Sequence, residues 1–230
     1  MTAADSPSLA DRIERVNERI VLACQRAGRP IAEVTLIAVS KTWPAEFVTE
    51  AQACGLNDFG ENRVQEALQK MDAVQALRGG QQIEPAWHLI GHLQTNKVKS
   101  ITGRFAILHG IDSERLVETV GRFAAGPQRV MLEVNVSGEP SKFGVAPGEL
   151  DQLLKVASST AKVVVEGLMT VAPRGEVAES SRPVFRELRS LAERYSLPHL
   201  SMGMSDDYEV AIEEGATHVR VGRAIFGDRS

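Results

Sequence analysis

Short apolar runs alternate with longer segments of helical spacing along nearly the whole chain. The runs show little polar alternation, which is typical of strands covered on both faces, as in a parallel sheet. Eight runs are predicted to be strands, at residues 35–42, 56–61, 86–91, 105–111, 129–137, 163–171, 199–205 and 218–226. Helices are predicted in nearly every interval, at residues 45–54, 62–78, 93–99, 113–125, 147–160, 179–195 and 206–214.

Eight strand–helix units in 230 residues predict an α/β fold of the (β/α)₈ TIM-barrel type, which usually needs about 250 residues. The alternative is an open doubly wound sheet, but no Gly-x-Gly-x-x-Gly follows the first strand. No break in composition suggests a linker, so residues 1–230 are predicted to form one domain. Residues 1–28 are predicted to form a helix that packs on the barrel, with Ser6 as its cap and Gly28 at its end.

Composition and charge exclude several classes of protein. The net charge of −4 and the hydrophobic fraction of 43% are ordinary for a globular protein and give no basic surface for nucleic acid. No run approaches the roughly 20 apolar residues of a membrane span, and the first residues lack the apolar segment of a signal peptide. Cys24 and Cys54 both lie in apolar helical stretches and are expected to be free, which favours a cytoplasmic location.

A lysine closes the first predicted strand, in "LIAVSKTWP" at residues 36–44. Lys41 either marks the exit of the strand into water or faces a pocket. The barrel gives the second reading weight, because active sites of such barrels form at the carboxyl ends of the strands.

The last two strands end in residues suited to a phosphate group. Ser205 follows Gly203 in "MGMSDD", and Gly222 and Arg223 lie in "RVGRAIFG". A serine hydroxyl with backbone amides can hold a phosphate, and barrels frequently bind phosphate after strands 7 and 8. The alternative is that Ser205 only caps a helix and Gly222 only fits a tight turn.

Arg220 lies inside the apolar run "HVRVG". Buried arginines are almost always paired, so Arg220 predicts a carboxylate or a ligand within the barrel. A desolvated lysine beside another cation can act as an amine nucleophile. Lys41, the phosphate site and Arg220 together therefore predict a phosphorylated carbonyl compound bound as a Schiff base.

The histidines predict no metal site. His88 and His92 are four residues apart on a strand-to-turn segment, and no Glu or Cys joins them at ligand spacing. His109, His199 and His218 lie in or beside strands and are expected to be core or edge residues. No Gly-x-Ser-x-Gly nucleophile motif is present.

Five motifs, found in order from the first strand to the last, resemble the YggS/PROSC family of pyridoxal phosphate homeostasis proteins. They are "AVSKTWP", "FGENRVQEALQK", "WHLIGHLQTNK", "GLMTVAP" and "SMGMSDDYEVAIEEGATHVRVGRAIFG". The resemblance implies a single barrel of fold type III, like the N-terminal domain of alanine racemase without its second domain.

The resemblance also implies roles for individual residues. Lys41 in "VSKT" would form a Schiff base with pyridoxal 5′-phosphate (PLP). Ser205 would hold the phosphate with the backbone of Gly222 and Arg223, and Arg220 would lie against the pyridine nitrogen. Three further residues would line the pocket: Asn62, His88 and Met169.

The resemblance implies a cytoplasmic PLP carrier in vitamin B6 homeostasis, with little or no catalytic turnover. An arginine cannot accept a proton, so it favours an unprotonated ring nitrogen and a weaker electron sink. The racemases of this fold draw their second base, a tyrosine, from another domain. The expected partners are PLP and apo PLP-dependent enzymes, with neither nucleic acid nor membrane, and the expected state is a monomer. The alternatives are an amino-acid racemase and a Schiff-base aldolase acting on a sugar phosphate.

Overall fold

Eight parallel strands close into a barrel in the order of the chain, so the predicted TIM-barrel fold is confirmed. The computed structural model describes residues 7–78, 83–173, 175 and 177–228. The strands are β1 (Thr35–Val39), β2 (Asp58–Glu61), β3 (Ala86–Leu89), β4 (Ile107–Ile111), β5 (Gln128–Glu133), β6 (Val163–Met169), β7 (His199–Met204) and β8 (His218–Val221). The α-helices are α1 (Leu9–Ala27), α2 (Ala45–Ala53), α3 (Val64–Arg78), α4 (Val98–Ile101), α5 (Glu114–Phe123), α6 (Leu150–Ser159), α7 (Arg182–Arg194), α8 (Tyr208–Glu213) and α9 (Arg223–Phe226).

The pairing of β8 with β1 closes the barrel. Ile37 of β1 stands beside Arg220, and Ala38 stands beside Val221. On its other side, Arg220 is in register with Met204 of β7. This register brings the carboxyl ends of β7, β8 and β1 together at one edge, because neighbouring parallel strands end on the same side of a sheet.

Every predicted strand is present; β2 and β4 end where predicted, and the other six end earlier than predicted. Their polar carboxyl-terminal residues belong to loops, since the chain leaves the barrel there. The prediction of one strand over 218–226 is wrong beyond Val221. The chain turns at Gly222, whose carbonyl accepts from the amides of Ile225 and Phe226, and Arg223–Phe226 becomes a helical turn.

The first helix, Leu9–Ala27, packs across the barrel's outer helices. Its buried face consists of Leu9, Ile13, Val16, Ile20, Ala23 and Cys24, and each large aliphatic side chain contributes about 1.5–3 kcal/mol when buried. Arg12 donates to the carbonyl of Ile225, 2.5 Å away. The predicted cap, Ser6, lies outside the described residues; Ser8 caps the helix instead, by accepting from the amide of Asp11.

The organisation of residues 1–230 as one domain stays a prediction. Both cysteines are free. In the part of the chain that the structure describes, no helix is long and apolar enough to cross a membrane.

Candidate functional site

Lys41 lies in a tight turn, residues 40–43, that directly follows β1; we call it the lysine turn. The amide of Trp43 donates to the carbonyl of Ser40, 3.0 Å away, and Thr42 takes a left-handed φ of 69°. Lys41 is half-buried and lies two residues past the end of β1. The turn therefore stands at the carboxyl end of the barrel, where the sequence predicted it.

A buried ion pair supports the lysine turn. Lys70 of α3 donates through Nζ to the carbonyl oxygen of Ser40 (2.6 Å) and to Glu61 Oε1 (2.5 Å). Ser40 Oγ donates to the same carboxylate oxygen, 2.8 Å away, and the amide of Thr42 donates to Glu66 on α3. Burial raises the pKa of Glu61, and Lys70 and Ser40 offset part of that rise. The backbone of the turn is thus anchored at Ser40 and at Thr42.

Sequence reasoning missed Lys70. Its signal was present in the helical pattern, because Lys70 falls among Ala67, Met71 and Val74 on the buried face of α3. A lysine at a buried position needs an acceptor nearby. Which acceptor it meets depends on the packing of α3 against β2, which the helical pattern does not describe.

A hydroxyl and two backbone amides meet where β7 and β8 end. Ser205 Oγ accepts from the amides of Gly222 (3.2 Å) and Ala224 (3.4 Å). The side chain of Arg223, the residue between these two amides, forms an ion pair with Asp206. A Cβ at Gly222 would lie 3.2 Å from the carbonyl oxygen of Val39, so the last residue of β1 packs directly on this group. The lysine turn begins one residue later, and the two features are therefore neighbours.

The loop that carries Ser205 is fixed by its surroundings. Gly203 takes a φ of 90°, and a Cβ there would lie 2.5 Å from the Cβ of Ala211 in α8. Asp207 accepts a hydrogen bond from the amide of Met204, 2.7 Å away. The left-handed conformation of Gly203 and the hydrogen bond to Asp207, just before α8, thus fix the position of Ser205 between β7 and α8.

Arg220 lies inside the barrel with 4% of its surface exposed. Nη1 donates to Ser201 Oγ (2.7 Å) and Nη2 donates to the carbonyl oxygen of Thr170 (2.9 Å). Burial lowers the pKa of Arg220 to about 10, and Glu133 and Asp207 counter this through their charges. Among the described residues its hydrogen-bond acceptors are two neutral oxygens, so of the two predicted partners, a carboxylate or a ligand, a directly bonded carboxylate is not found.

Glu133 closes β5 and is 6% exposed. A Cβ at Gly110 would lie 3.4 Å from its Oε2, so the carboxyl group faces β4. Burial and the charge of Asp112 raise the pKa of Glu133 to about 7, while Arg220 acts in the opposite direction. In the sequence Glu133 does not stand out, because a buried glutamate at a strand end cannot be distinguished there from a solvated one.

Replacing Glu133 with glutamine is expected to stabilise the ligand-free protein at alkaline pH. Between pH 4.5 and 7 the native state keeps a proton on Glu133 that the unfolded chain has released, so the unfolding free energy falls as the pH rises. Above pH 7 the variant should gain about 3 kcal/mol over the parent, and well below pH 4.5 almost nothing. Urea unfolding at pH 8 measures the full gain, and at pH 5 the gain should still be below about 1 kcal/mol.

The matched control is Glu118→Gln, which changes an exposed glutamate of α5. It should leave the unfolding free energy nearly unchanged at both values of pH. An equal gain for Glu133→Gln at pH 5 and pH 8 would contradict the assignment, because a proton held only by the native state gives a gain that grows with pH.

Three further residues were predicted to line the pocket, and each lies in or at the end of a barrel strand. A Cβ on Gly91 would lie 2.4 Å from the carbonyl oxygen of Asn62, so Asn62 packs on the end of β3. Met169 packs on Ile107 and Met131. His88 is buried, and its ring nitrogens are hydrogen-bonded within the barrel to His109 and Asp58.

His88 and His92 do not act together. His92 lies beside Asp112, with 3.2 Å between Nδ1 and Oδ2, and stacks on Phe143 with ring centroids 4.0 Å apart. Within the described ranges, no group of three or more His, Cys, Asp or Glu residues is arranged to hold a metal ion.

Comparisons with known proteins agree with this architecture. Residues 13–230 match the family model described as alanine racemase, N-terminal domain. An alanine racemase structure from Corynebacterium glutamicum superposes with a TM-score of 0.66 at 20% identity, over 96% of this chain and 61% of that one. At that identity the likeness concerns the fold alone.

Two relatives are similar over nearly their full lengths. The pyridoxal phosphate homeostasis protein of Aquifex aeolicus is 46% identical over 95% of this chain and 97% of its own. The structure of PipY from Synechococcus elongatus PCC7942 with PLP bound is 37% identical, with a TM-score of 0.77, over 92% of this chain and 100% of that one. The chain therefore belongs to the pyridoxal phosphate homeostasis protein family, the YggS/PipY family, which is built on a barrel of the alanine racemase N-terminal type.

Proposed function

We propose that this chain binds PLP as a Schiff base on Lys41 and serves intracellular PLP homeostasis, with little or no catalytic turnover. One observation carries the proposal: the lysine turn lies next to the group formed by Ser205 Oγ and the amide of Gly222. The two are joined by the close packing of Val39, the last residue of β1, on Gly222. An amine and a phosphate cradle thus share one end of the barrel, with Arg220 on the strand that leads into the cradle. The name of the Aquifex relative and the PLP bound to PipY support the same reading.

The residues present fit the cofactor. PLP supplies an aldehyde, which condenses with a primary amine and releases one water, and a ring that withdraws electrons. Ser205 and the amides of Gly222 and Arg223 would hold the phosphate. Arg220 would face the ring nitrogen, and Asn62, His88 and Met169 would enclose the ring. The tight packing at Gly203 and Gly222 keeps this cradle in place before any ligand arrives.

Arg220 favours holding the cofactor over using it as an electron sink. Its guanidinium stays charged at neutral pH even though burial lowers its pKa to about 10. It can therefore donate a hydrogen bond to the ring nitrogen but cannot accept a proton. An unprotonated ring nitrogen withdraws electrons weakly. The relatives' names describe homeostasis and name no reaction.

Neither tyrosine of the chain is placed to act as the second base of a racemase. Tyr208 is 1% exposed, and the guanidinium carbon of Arg19 lies 5.5 Å from the centre of its ring. Tyr195 follows α7, whose end leads to the amino-terminal end of β7 and so to the side of the barrel away from Lys41. These placements support a carrier rather than a racemase.

The proposed role is that of a cytoplasmic monomer that keeps PLP available to apo PLP-dependent enzymes. Cells that lack the protein should then show disturbed B6 vitamers and amino-acid pools. Unchanged pools in extracts of such cells would contradict the homeostasis role while leaving PLP binding untouched.

The test of binding is the visible absorption spectrum of the purified protein before and after PLP is added. Borohydride reduction and peptide mass mapping follow. A yellow protein with the pyridoxyl group on Lys41 is the expected result. A protein that stays colourless with PLP would overturn the proposal, and trapping by borohydride only with a sugar phosphate present would favour the aldolase.

A further inference from the structure

A chain of side-chain hydrogen bonds crosses the interior of the barrel and ends at Arg220. Its members are Asp58, His88, His109, Ser201 and Arg220, from β2, β3, β4, β7 and β8; we call it the interior chain. The distances are 3.0 Å from Asp58 Oδ1 to His88 Nε2, 3.0 Å from His88 Nδ1 to His109 Nε2, 2.8 Å from His109 Nδ1 to Ser201 Oγ, and 2.7 Å from Ser201 Oγ to Arg220 Nη1.

The two ends of the interior chain lie in different surroundings. Asp58 is the first residue of β2, at the amino-terminal end of the barrel, and its side chain is 33% exposed. The other four residues are buried. The interior chain therefore joins the partly exposed carboxylate of Asp58 to the buried guanidinium of Arg220. The hydrogen-bond acceptors of that guanidinium among the described residues are neutral oxygens.

The chemistry of the members gives the chain a direction. A guanidinium only donates, so Ser201 Oγ accepts from Arg220 and its own proton can go to His109 Nδ1. His109 is then protonated at Nε2 and donates to His88, which is protonated at Nε2 and donates to the Asp58 carboxylate. Burial, together with the charges of His88, His218, Arg220 and Arg129, lowers the pKa of His109, which favours this neutral form.

The opposite direction is unfavourable. His88 Nε2 would then have to accept from a protonated Asp58, or His88 would have to carry two protons next to buried His109. With Asp58 ionised, the direction from Arg220 to Asp58 is the one in which every donor of the interior chain has an acceptor. Buried polar chains of this kind polarise in one sense and hold their members in single orientations.

We propose that Asp58, His88, His109 and Ser201 are positioning residues that orient Arg220 and couple it, through a polarised line of hydrogen bonds, to the carboxylate of Asp58. This rests on the proposed function, in which Arg220 faces the ring nitrogen of PLP. Glu133 and Asp207 also act on Arg220 through their charges, but neither is hydrogen-bonded to it in the described structure. The consequence is that a residue at the far end of the barrel influences the bound cofactor.

The first test uses the ligand-free protein and long-range ¹H–¹⁵N correlation spectra of its histidines. His88 and His109 should each give the signals of a neutral ring protonated at Nε2. In Ser201→Ala, His109 should lose its single tautomer, because its Nδ1 no longer has a hydroxyl donor. A wild-type His109 protonated at Nδ1 would overturn the proposal without reference to PLP.

The second test compares the absorption spectrum of added PLP in Asp58→Asn and in wild type. Asparagine keeps the acceptor oxygen and removes the charge, so the maximum of the bound cofactor should shift by several nanometres and its Kd should change roughly threefold or more. The control is Asp72→Asn, which makes the same chemical change at an exposed carboxylate of α3 that pairs with Arg104 (2.6 Å) outside the interior chain. It should leave the spectrum and the Kd unchanged.

The outcomes separate this inference from the proposed function. A wild-type protein that gains no visible band with PLP contradicts the proposed function, whereas the tautomers of the ligand-free protein still decide the direction of the chain. A normal band in wild type with identical spectra and Kd in Asp58→Asn overturns the inference and leaves PLP binding intact.

Discussion

Substitution of Lys41 by arginine is expected to abolish covalent capture of PLP. Arginine keeps the positive charge at the lysine turn but cannot present a neutral primary amine, because its guanidinium stays protonated. Borohydride should fix no pyridoxyl group on the variant, and the visible band should be absent. Any residual binding through Ser205 and Gly222 should be at least about tenfold weaker, or about 1.4 kcal/mol, as titration calorimetry with PLP would measure.

Lys97 provides the matched control for this experiment. It is half-buried and lies in the loop after β3, on the side of the barrel where the strands end, so Lys97→Arg makes the same chemical change at a second half-buried lysine on that side. That variant should keep the visible band and the adduct on Lys41. A pyridoxyl group recovered from another lysine of Lys41→Arg, at wild-type yield, would show that Lys41 is not the attachment point.

The second large effect is expected for Lys70→Met. Removing the ammonium leaves Glu61, which is fully buried, without its ion-pair partner, and breaking such a pair costs about 3–5 kcal/mol. The Ser40 carbonyl loses its donor at the same time, so the lysine turn should loosen and PLP affinity should fall along with stability. Urea unfolding at pH 8 measures the loss of unfolding free energy.

Two companion variants make this prediction specific. In Lys70→Met combined with Glu61→Gln most of the lost stability should return, because no buried charge is left unpaired. Lys155→Met removes an exposed lysine that pairs with Asp151, and it should have little or no effect. A loss below about 1 kcal/mol in Lys70→Met alone would contradict a structural role for the pair.

The fold could be predicted from the sequence because its signals are local. Each of the eight apolar runs became a strand, and helices filled the gaps between them. Six of the eight strand ends were predicted too late, since a polar residue in the last position of a strand and one in the following loop look alike. The sequence "RVGRAIF" shows this, because its second half is apolar enough for a strand yet forms α9 after the turn at Gly222.

The candidate site was predictable only where a residue was out of place in its own run. Lys41 and Arg220 stood out because each is a cation in or at the end of an apolar strand, and Ser205 and Gly222 stood out by position in the barrel. Lys70, Glu61 and Glu133 did not stand out. Their charges lie in helices and strand ends where solvated residues are common, and only packing shows that they are buried.

The sequence by itself determined the barrel, its carboxyl-terminal mouth and the candidate residues around it. Periodicity and the chemistry of single residues are properties of the chain before it folds. Tertiary structure alone decided which side chains meet: Lys70 under the lysine turn, and Asp58 joined to Arg220 through His88, His109 and Ser201. These contacts join residues up to 92 positions apart in the chain, and their energies depend on burial, which exists only once the barrel has closed.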